Sequence, residues 1–253
     1  MLAQETIRIL ATQYHTTDYP NTVREYVQHL FLSSFYKRDA ATNFLFKGGT
    51  ALRIVYGSPR FSEDLDFSLF NVLTHKRQKL IEDLFQDTMA ELERLGFKVE
   101  FGEKFGPTTD GYFGSASAKL YDYQPVTIEV NISTRNGHPM QGHLTTIAND
   151  FVPTYNLLHL PQNELIEEKI FGALLNRHKA RDFYDLYFIM RKGLLVNDHK
   201  VRLAAAKEHV LSLAEDIHFD AELGALLPSD QQLIVKDFKR TLAAELERQV
   251  VVS

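Results

Sequence analysis

Apolar and polar positions along the chain change period several times, and each change marks an element. Between Thr22 and Tyr36, the residues Val23, Tyr26, Val27, Leu30, Phe31 and Ser34 recur at i, i+3, i+4, so residues 1–38 read mainly as helix. A short apolar run at 43–47 reads as a strand, 50–56 as a short helix and 64–70 (DLDFSLF) as a second strand. Helical spacing returns from Thr74 to Leu95 in Leu80, Leu84, Met89, Leu92 and Leu95, and Gly96 stops it. Strands are predicted at 97–103, 112–122 and 126–133. In the last, Val126, Ile128, Val130 and Ile132 face one way, while Thr127, Glu129 and Asn131 face the other.

The stretch from Thr134 to Leu160 is weakly patterned and holds two prolines, so the domain boundary is placed there. The expected division is a domain over 1–155 and a second over 156–253. Beyond the boundary the spacing predicts helices at 163–177, 181–191, 198–215 and 230–250. Asn163 is the expected N-cap of the first, and Ser229 with Gln232 has the form of a capping box. The fold class that follows is α+β: a small mixed sheet with flanking helices, then a C-terminal helical domain.

Composition narrows the chemistry. The 253 residues contain no cysteine, which removes disulfides, thiolate zinc sites and a cysteine nucleophile together. No run approaches the roughly 18 apolar residues needed to span a bilayer, and the N-terminus lacks a signal peptide's basic-then-apolar layout. A soluble, cytoplasmic protein with no membrane association is expected. A net charge of −5 argues against general wrapping of duplex nucleic acid. Any nucleic-acid contact must be local, from Arg177, His178, Lys179 and Arg181 or from Arg191 and Lys192; solvated helix faces account for the same residues.

The densest chemistry lies in FLFKGGTALRIVYGSPRFSEDLDFSLF. Gly48, Gly49 and Thr50 sit at a strand-to-helix turn, where free N–H groups and the positive dipole end suit a phosphate; an ordinary tight strand-to-helix turn is the competing reading. Fourteen residues after Thr50 come Asp64 and Asp66, which share one face of a strand. Two carboxylates there suit Mg²⁺, which takes one or two protein carboxylates plus phosphate oxygens and water; a solvent-facing strand edge is the alternative. Glu129, on the polar face of its strand, could complete the clamp or simply be exposed. In ELIEEKIFGALLNRHKARDFYDLYFIM, helical spacing brings Lys169, Ala173 and Arg177 near one line, with Ile166, Ile170 and Leu174 behind. Two such cations suit a triphosphate, with Asp182 and Asp185 on the next helix orienting them; a salt-bridged helical hairpin is the competing reading. None of the ten histidines has metal-ligand spacing, and P-loop, nucleophile-elbow and dinucleotide fingerprints are absent.

Each feature is weak alone, but their order is specific. FKGGTAL, then RFSEDLDF, then a carboxylate-bearing strand, then EKIFGALLNRHKARDFYDL resembles the AbiEii/AbiGii toxin family of nucleotidyltransferases, which includes the MenT toxins, over roughly residues 43–190. The resemblance implies a DNA polymerase beta-like nucleotidyltransferase core. It implies that Gly48, Gly49 and Thr50 hold the nucleotide phosphates with Ser62 beside them, and that Asp64 and Asp66 bind Mg²⁺, with Mn²⁺ as the alternative ion. Lys169 would contact the triphosphate, Asp182 and Asp185 would match the acidic helix motif, and Arg177 a basic position between them. Glu129 would be the third metal carboxylate. A nucleotide cleft between the two domains is expected. The implied activity is transfer of NMP from an NTP to an RNA acceptor, the tRNA 3′ end above all, by a toxin with a cognate antitoxin. A protein hydroxyl as acceptor, and an inactive nucleotide- or partner-binding module, are the alternatives.

Overall fold

The computed structural model describes residues 1–134 and 140–250, and divides into two compact units. The first comprises 1–57 and 61–160, the second 58–60 and 161–253. The change of unit thus falls at Leu160, five residues past the expected boundary, and a three-residue piece of the early chain groups with the later one.

The first unit is built on one eight-stranded mixed sheet. Helices α1 (Gln4–Gln13) and α2 (Val23–Phe35) lead into β1 (Phe44–Lys47), α3 (Gly48–Tyr56) and β2 (Asp64–Leu69). Helix α4 (Thr74–Arg94) follows, then β3 (Lys98–Phe101), β4 (Gly106–Thr108), β5 (Gly111–Lys119) and β6 (Val126–Ser133). The order across the sheet is β3-β5-β6-β2-β1, with β4 paired to β5. One face of these strands is dry: Phe44, Phe46, Leu65, Phe67, Ile128 and Val130 are all at most 2% exposed. That face meets α2, whose Phe35 ring lies 5.1 Å from the ring of Phe67 and 5.3 Å from that of Phe44.

Two strands lie in the stretch read as weakly patterned. These are β7 (His143–Ile147) and β8 (Tyr155–His159), which extend the sheet beyond β1. Strand β7 is an edge with Leu144 68% exposed, so it lacks the one-sided apolar alternation that announces a strand. In β8 the alternation is present, with Tyr155, Leu157 and His159 buried, but adjacent Leu157 and Leu158 blur it. Residues 135–139 of the same stretch lie outside the described residues.

The second unit is helical after Leu160. Helices α5 (Gln162–Glu167) and α6 (Leu175–Arg177) flank a segment of i→i+5 bonding at Glu168–Leu174. Then come α7 (Ala180–Arg191), α8 (Asn197–Ala214), α9 (Phe219–Leu223) and α10 (Phe238–Val250). An aromatic core holds this unit: the Phe238 ring lies 4.7 Å from Phe219 and 5.9 Å from Tyr184. Two capping expectations fail. Pro161, not Asn163, occupies the N-cap of α5; its fixed φ ends the extended chain two residues early. Ser229 and Gln232 form no capping box, because 232–237 is a 3₁₀ turn and α10 starts at Phe238. The Gln232 amide donates instead to the Gly224 and Leu227 carbonyls.

Candidate active site

Strand β2 enters the sheet at Asp64. Period-two alternation sends Leu65 and Phe67 into the core at 0% exposure and leaves Asp64 and Asp66 half-buried on the opposite face. Register fixes their neighbours. Asp64 stands beside Glu129 of β6, Asp66 beside Asn131, and on the other side Asp66 stands opposite Lys47 of β1. The polar row Asp64, Asp66, Glu129 and Asn131 therefore lies on a single sheet face.

Gly48 explains the glycine turn. Its φ is +83°, the left-handed region where a side chain is strained, and a Cβ there would lie 2.0 Å from Asp66 Oδ2. The anion seated against Gly48 in the fold is the chain's own carboxylate, Asp66. Thr50, fully buried, donates its hydroxyl to the Asp64 carbonyl, which ties the first turn of α3 to the first residue of β2. Any phosphate contact from Thr50 thus falls to its N–H, one of the unpaired donors of the helix start.

Ser62 lies half-buried just before β2, and its carbonyl, with that of Glu63, accepts from the Gln28 amide at 2.9 and 3.2 Å. Glu129 is exposed. Its partial desolvation, then the negative charges of Asp64 and Glu63, push its carboxyl up, and Lys104 pulls it back. Among the described residues no three His, Asp or Glu side chains converge as a ready-made metal cage. The two β2 carboxylates are all-oxygen, strand-mounted ligands on one face. That donor set fits Mg²⁺ when substrate phosphate and water complete the shell.

The second unit places the helix motif differently from its linear spacing. Lys169 is 8% exposed, and its ammonium lies 2.8 Å from Asp185. Arg177 is exposed and makes a paired bond to Asp182, at 2.9 and 2.6 Å. The i→i+5 bonding of Glu168–Leu174 shifts later residues around the helix, so the two cations do not share one environment. The salt-bridged reading of this motif describes what is seen, the bridges being Lys169–Asp185 and Arg177–Asp182. Asp182 also accepts from the Lys179 N–H at the start of α7.

Asp185 is held by a residue that sequence reasoning missed. Arg60, 2% exposed, forks onto it with Nε–Oδ1 at 2.9 Å and Nη2–Oδ2 at 3.1 Å. Full burial alone would raise the Asp185 carboxyl; the charges and hydrogen bonds of Arg60 and Lys169 outweigh burial and hold it below the usual carboxylate range. The signal was faint: an arginine between Pro59 and Phe61, its partner 125 residues away. Asn131 was also missed. Its amide donates to Asp66 Oδ1 at 3.3 Å, and its alternation with Glu129 already placed it on this face.

A family model described as nucleotidyl transferase AbiEii toxin, type IV TA system, matches residues 30–250. The chain belongs to the AbiEii nucleotidyltransferase toxin family. As an AbiEii protein it is a nucleotidyltransferase of the toxin–antitoxin class. Two solved structures share the fold seen here: a proposed nucleotidyltransferase from H. pylori and JHP933 from Helicobacter pylori. Each is 20% identical with a TM-score of 0.56, and the matches cover 91% of this chain and 97% and 95% of theirs. No curated protein matches this chain. Among the described residues no helix is long and apolar enough to cross a membrane.

Proposed function

We propose that this AbiEii protein transfers a nucleoside monophosphate from an NTP to a 3′-hydroxyl of RNA, with tRNA as the acceptor, in a Mg²⁺-dependent reaction. The observation that carries the reading is the carboxylate pair Asp64 and Asp66 on one face of β2, with Asp66 seated against the Gly48 backbone at the start of α3. Asp64 and Asp66 hold the ion; when bound, it supplies positive charge to the phosphate oxygens at the reacting centre. The free N–H groups of Gly49 and Thr50, at the positive end of nine-residue α3, take the phosphates. The acceptor hydroxyl attacks the α-phosphorus in line, and pyrophosphate leaves.

Asn131 fixes one oxygen of Asp66, and Thr50 anchors the backbone of Asp64, so the start of β2 is held in place before substrate arrives. Glu129, beside Asp64, is the candidate third carboxylate. Lys169 carries the triphosphate role that the resemblance implies, with Asp185 holding its ammonium in place; Arg177 and Asp182 keep the roles implied for the helix motif. A cytoplasmic site of action and a cognate antitoxin complete the proposal.

The test offers each labelled NTP with Mg²⁺ to total tRNA and, separately, to a protein extract. Label in tRNA supports the reading and reveals the base preference. Label in polypeptide alone moves the acceptor to a protein hydroxyl. Mg²⁺-dependent nucleotide binding with no product from either leaves an inactive binding module.

A further inference from the structure

The sheet face that carries Asp64 and Asp66 continues onto β5 and β3, and its character changes there. On β5 the opposite face is closed, with Tyr112, Ala116 and Ala118 at most 4% exposed. The site face presents Gly111, Phe113, Ser115, Ser117 and Lys119, none of them buried. Register sets Phe113 beside Asn131 and Ser115 beside Glu129. Phe113 is thus two strands from Asp66, about 10 Å at ordinary strand spacing. Its ring is half-exposed, lies between Gly111 and Ser115 on its own strand, and packs against no other aromatic ring among the described residues.

Further along the same face, Lys98 of β3 stands directly opposite Lys119 of β5. Like charges facing each other across a strand pair are destabilising. Neither lysine, nor Lys104 at the adjoining turn, has an ion-pair partner among the described residues. Lys104 is close enough to pull on the Glu129 carboxyl, and its carbonyl accepts from Ser115. Glu100 is the one acidic side chain on the β3–β5 part of this face, opposite Ser117. A half-open aromatic, small flat neighbours and lysines without an ion-pair partner among the described residues, leading away from a carboxylate pair, suit a single nucleic-acid strand: a base stacks on the ring and phosphates meet the lysines.

We propose that this half of the face is the platform for the acceptor RNA strand, with Phe113 stacking a base near the 3′ end and Lys98 and Lys119 holding its backbone. The proposal rests on the nucleotidyl-transfer reading and its RNA acceptor. The probe is a fluorescein-labelled oligoribonucleotide with a free 3′-hydroxyl, its affinity measured against salt for the full chain, alongside KM values for RNA and NTP. Lys98→Gln with Lys119→Gln lowers the log–log salt slope by about 1.4, at about 0.7 per single-strand phosphate contact. Phe113→Ala raises the RNA KM about tenfold and leaves the NTP KM unchanged, whereas Phe113→Tyr restores it. An unchanged slope and RNA KM in a wild-type enzyme that labels RNA overturn the platform while the reaction stands. A rise in the NTP KM alone moves Phe113 to the donor and overturns it too. A wild type that labels only protein and binds no RNA removes the acceptor reading itself.

Discussion

Gly48→Ala isolates what the glycine turn does. The new Cβ would meet Asp66 Oδ2 at 2.0 Å, Cγ at 2.8 Å and Cβ at 2.9 Å, so the carboxylate must swing away. The φ of +83° adds a left-handed strain of about 1–2 kcal/mol. A matched control exists at the other end of the same helix. Gly57 has a φ of +79°, and its Cβ would meet nothing within 4 Å. Gly57→Ala therefore carries the same strain without touching Asp66 and loses about 1–2 kcal/mol in urea unfolding, and Gly48→Ala loses at least as much. Only Gly48→Ala moves Asp66, the proposed Mg²⁺ carboxylate, and a displacement of about 1 Å at a reacting centre costs on the order of a hundredfold in rate. The assay is nucleotidyl transfer per folded molecule, titrated with Mg²⁺. Gly48→Ala should be down at least about a hundredfold with weakened Mg²⁺ dependence, and Gly57→Ala within about twofold of wild type. Equal activity of the two variants would refute the idea that Gly48 is there for Asp66.

Two further outcomes concern buried charge. Asp185→Asn leaves Arg60 and Lys169 without their carboxylate, and breaking such a buried set costs about 3–5 kcal/mol, read as faster amide exchange in α7. Because the Asp185 pKa is held below its ordinary 3.8, its contribution is complete above that pH and drains as pH falls through the lower folded value; the variant lacks this acid slope. His29 is buried against Tyr155 and Phe151, and burial first, then the Arg53 charge, lower its pKa to about 3. The unfolded chain therefore takes up a proton near pH 6.5 that the fold refuses. Wild type loses about 1.4 kcal/mol per pH unit from 6.5 down to about 3 through this group, and His29→Gln should remove that component of the slope in unfolding titrations.

The site half of the first unit was legible because its signals are local. The alternation in DLDFSLF and VTIEVNIS fixes which side chains share a face, and the structure sets those faces side by side in register. What sequence could not provide were partners decided by tertiary packing. Arg60 finds Asp185 across 125 positions, and the Gln28 amide secures the entry to β2 from a helix 34 residues earlier. Strand β7 stayed hidden because an exposed edge needs no apolar side. The different environments of Lys169, buried, and Arg177, exposed, follow from i→i+5 turns that a 3.6-residue spacing does not anticipate.

The most direct measurement is pyrophosphate release coupled to label incorporation, with Mg²⁺, NTP and tRNA, for wild type, Asp64→Asn and Asp66→Asn. The asparagines keep shape and remove charge. Wild type should show Mg²⁺-dependent release in step with label, and neither variant should give either signal above background, with folding intact. Undiminished transfer by either variant would contradict the claim that the β2 carboxylate pair is the catalytic centre.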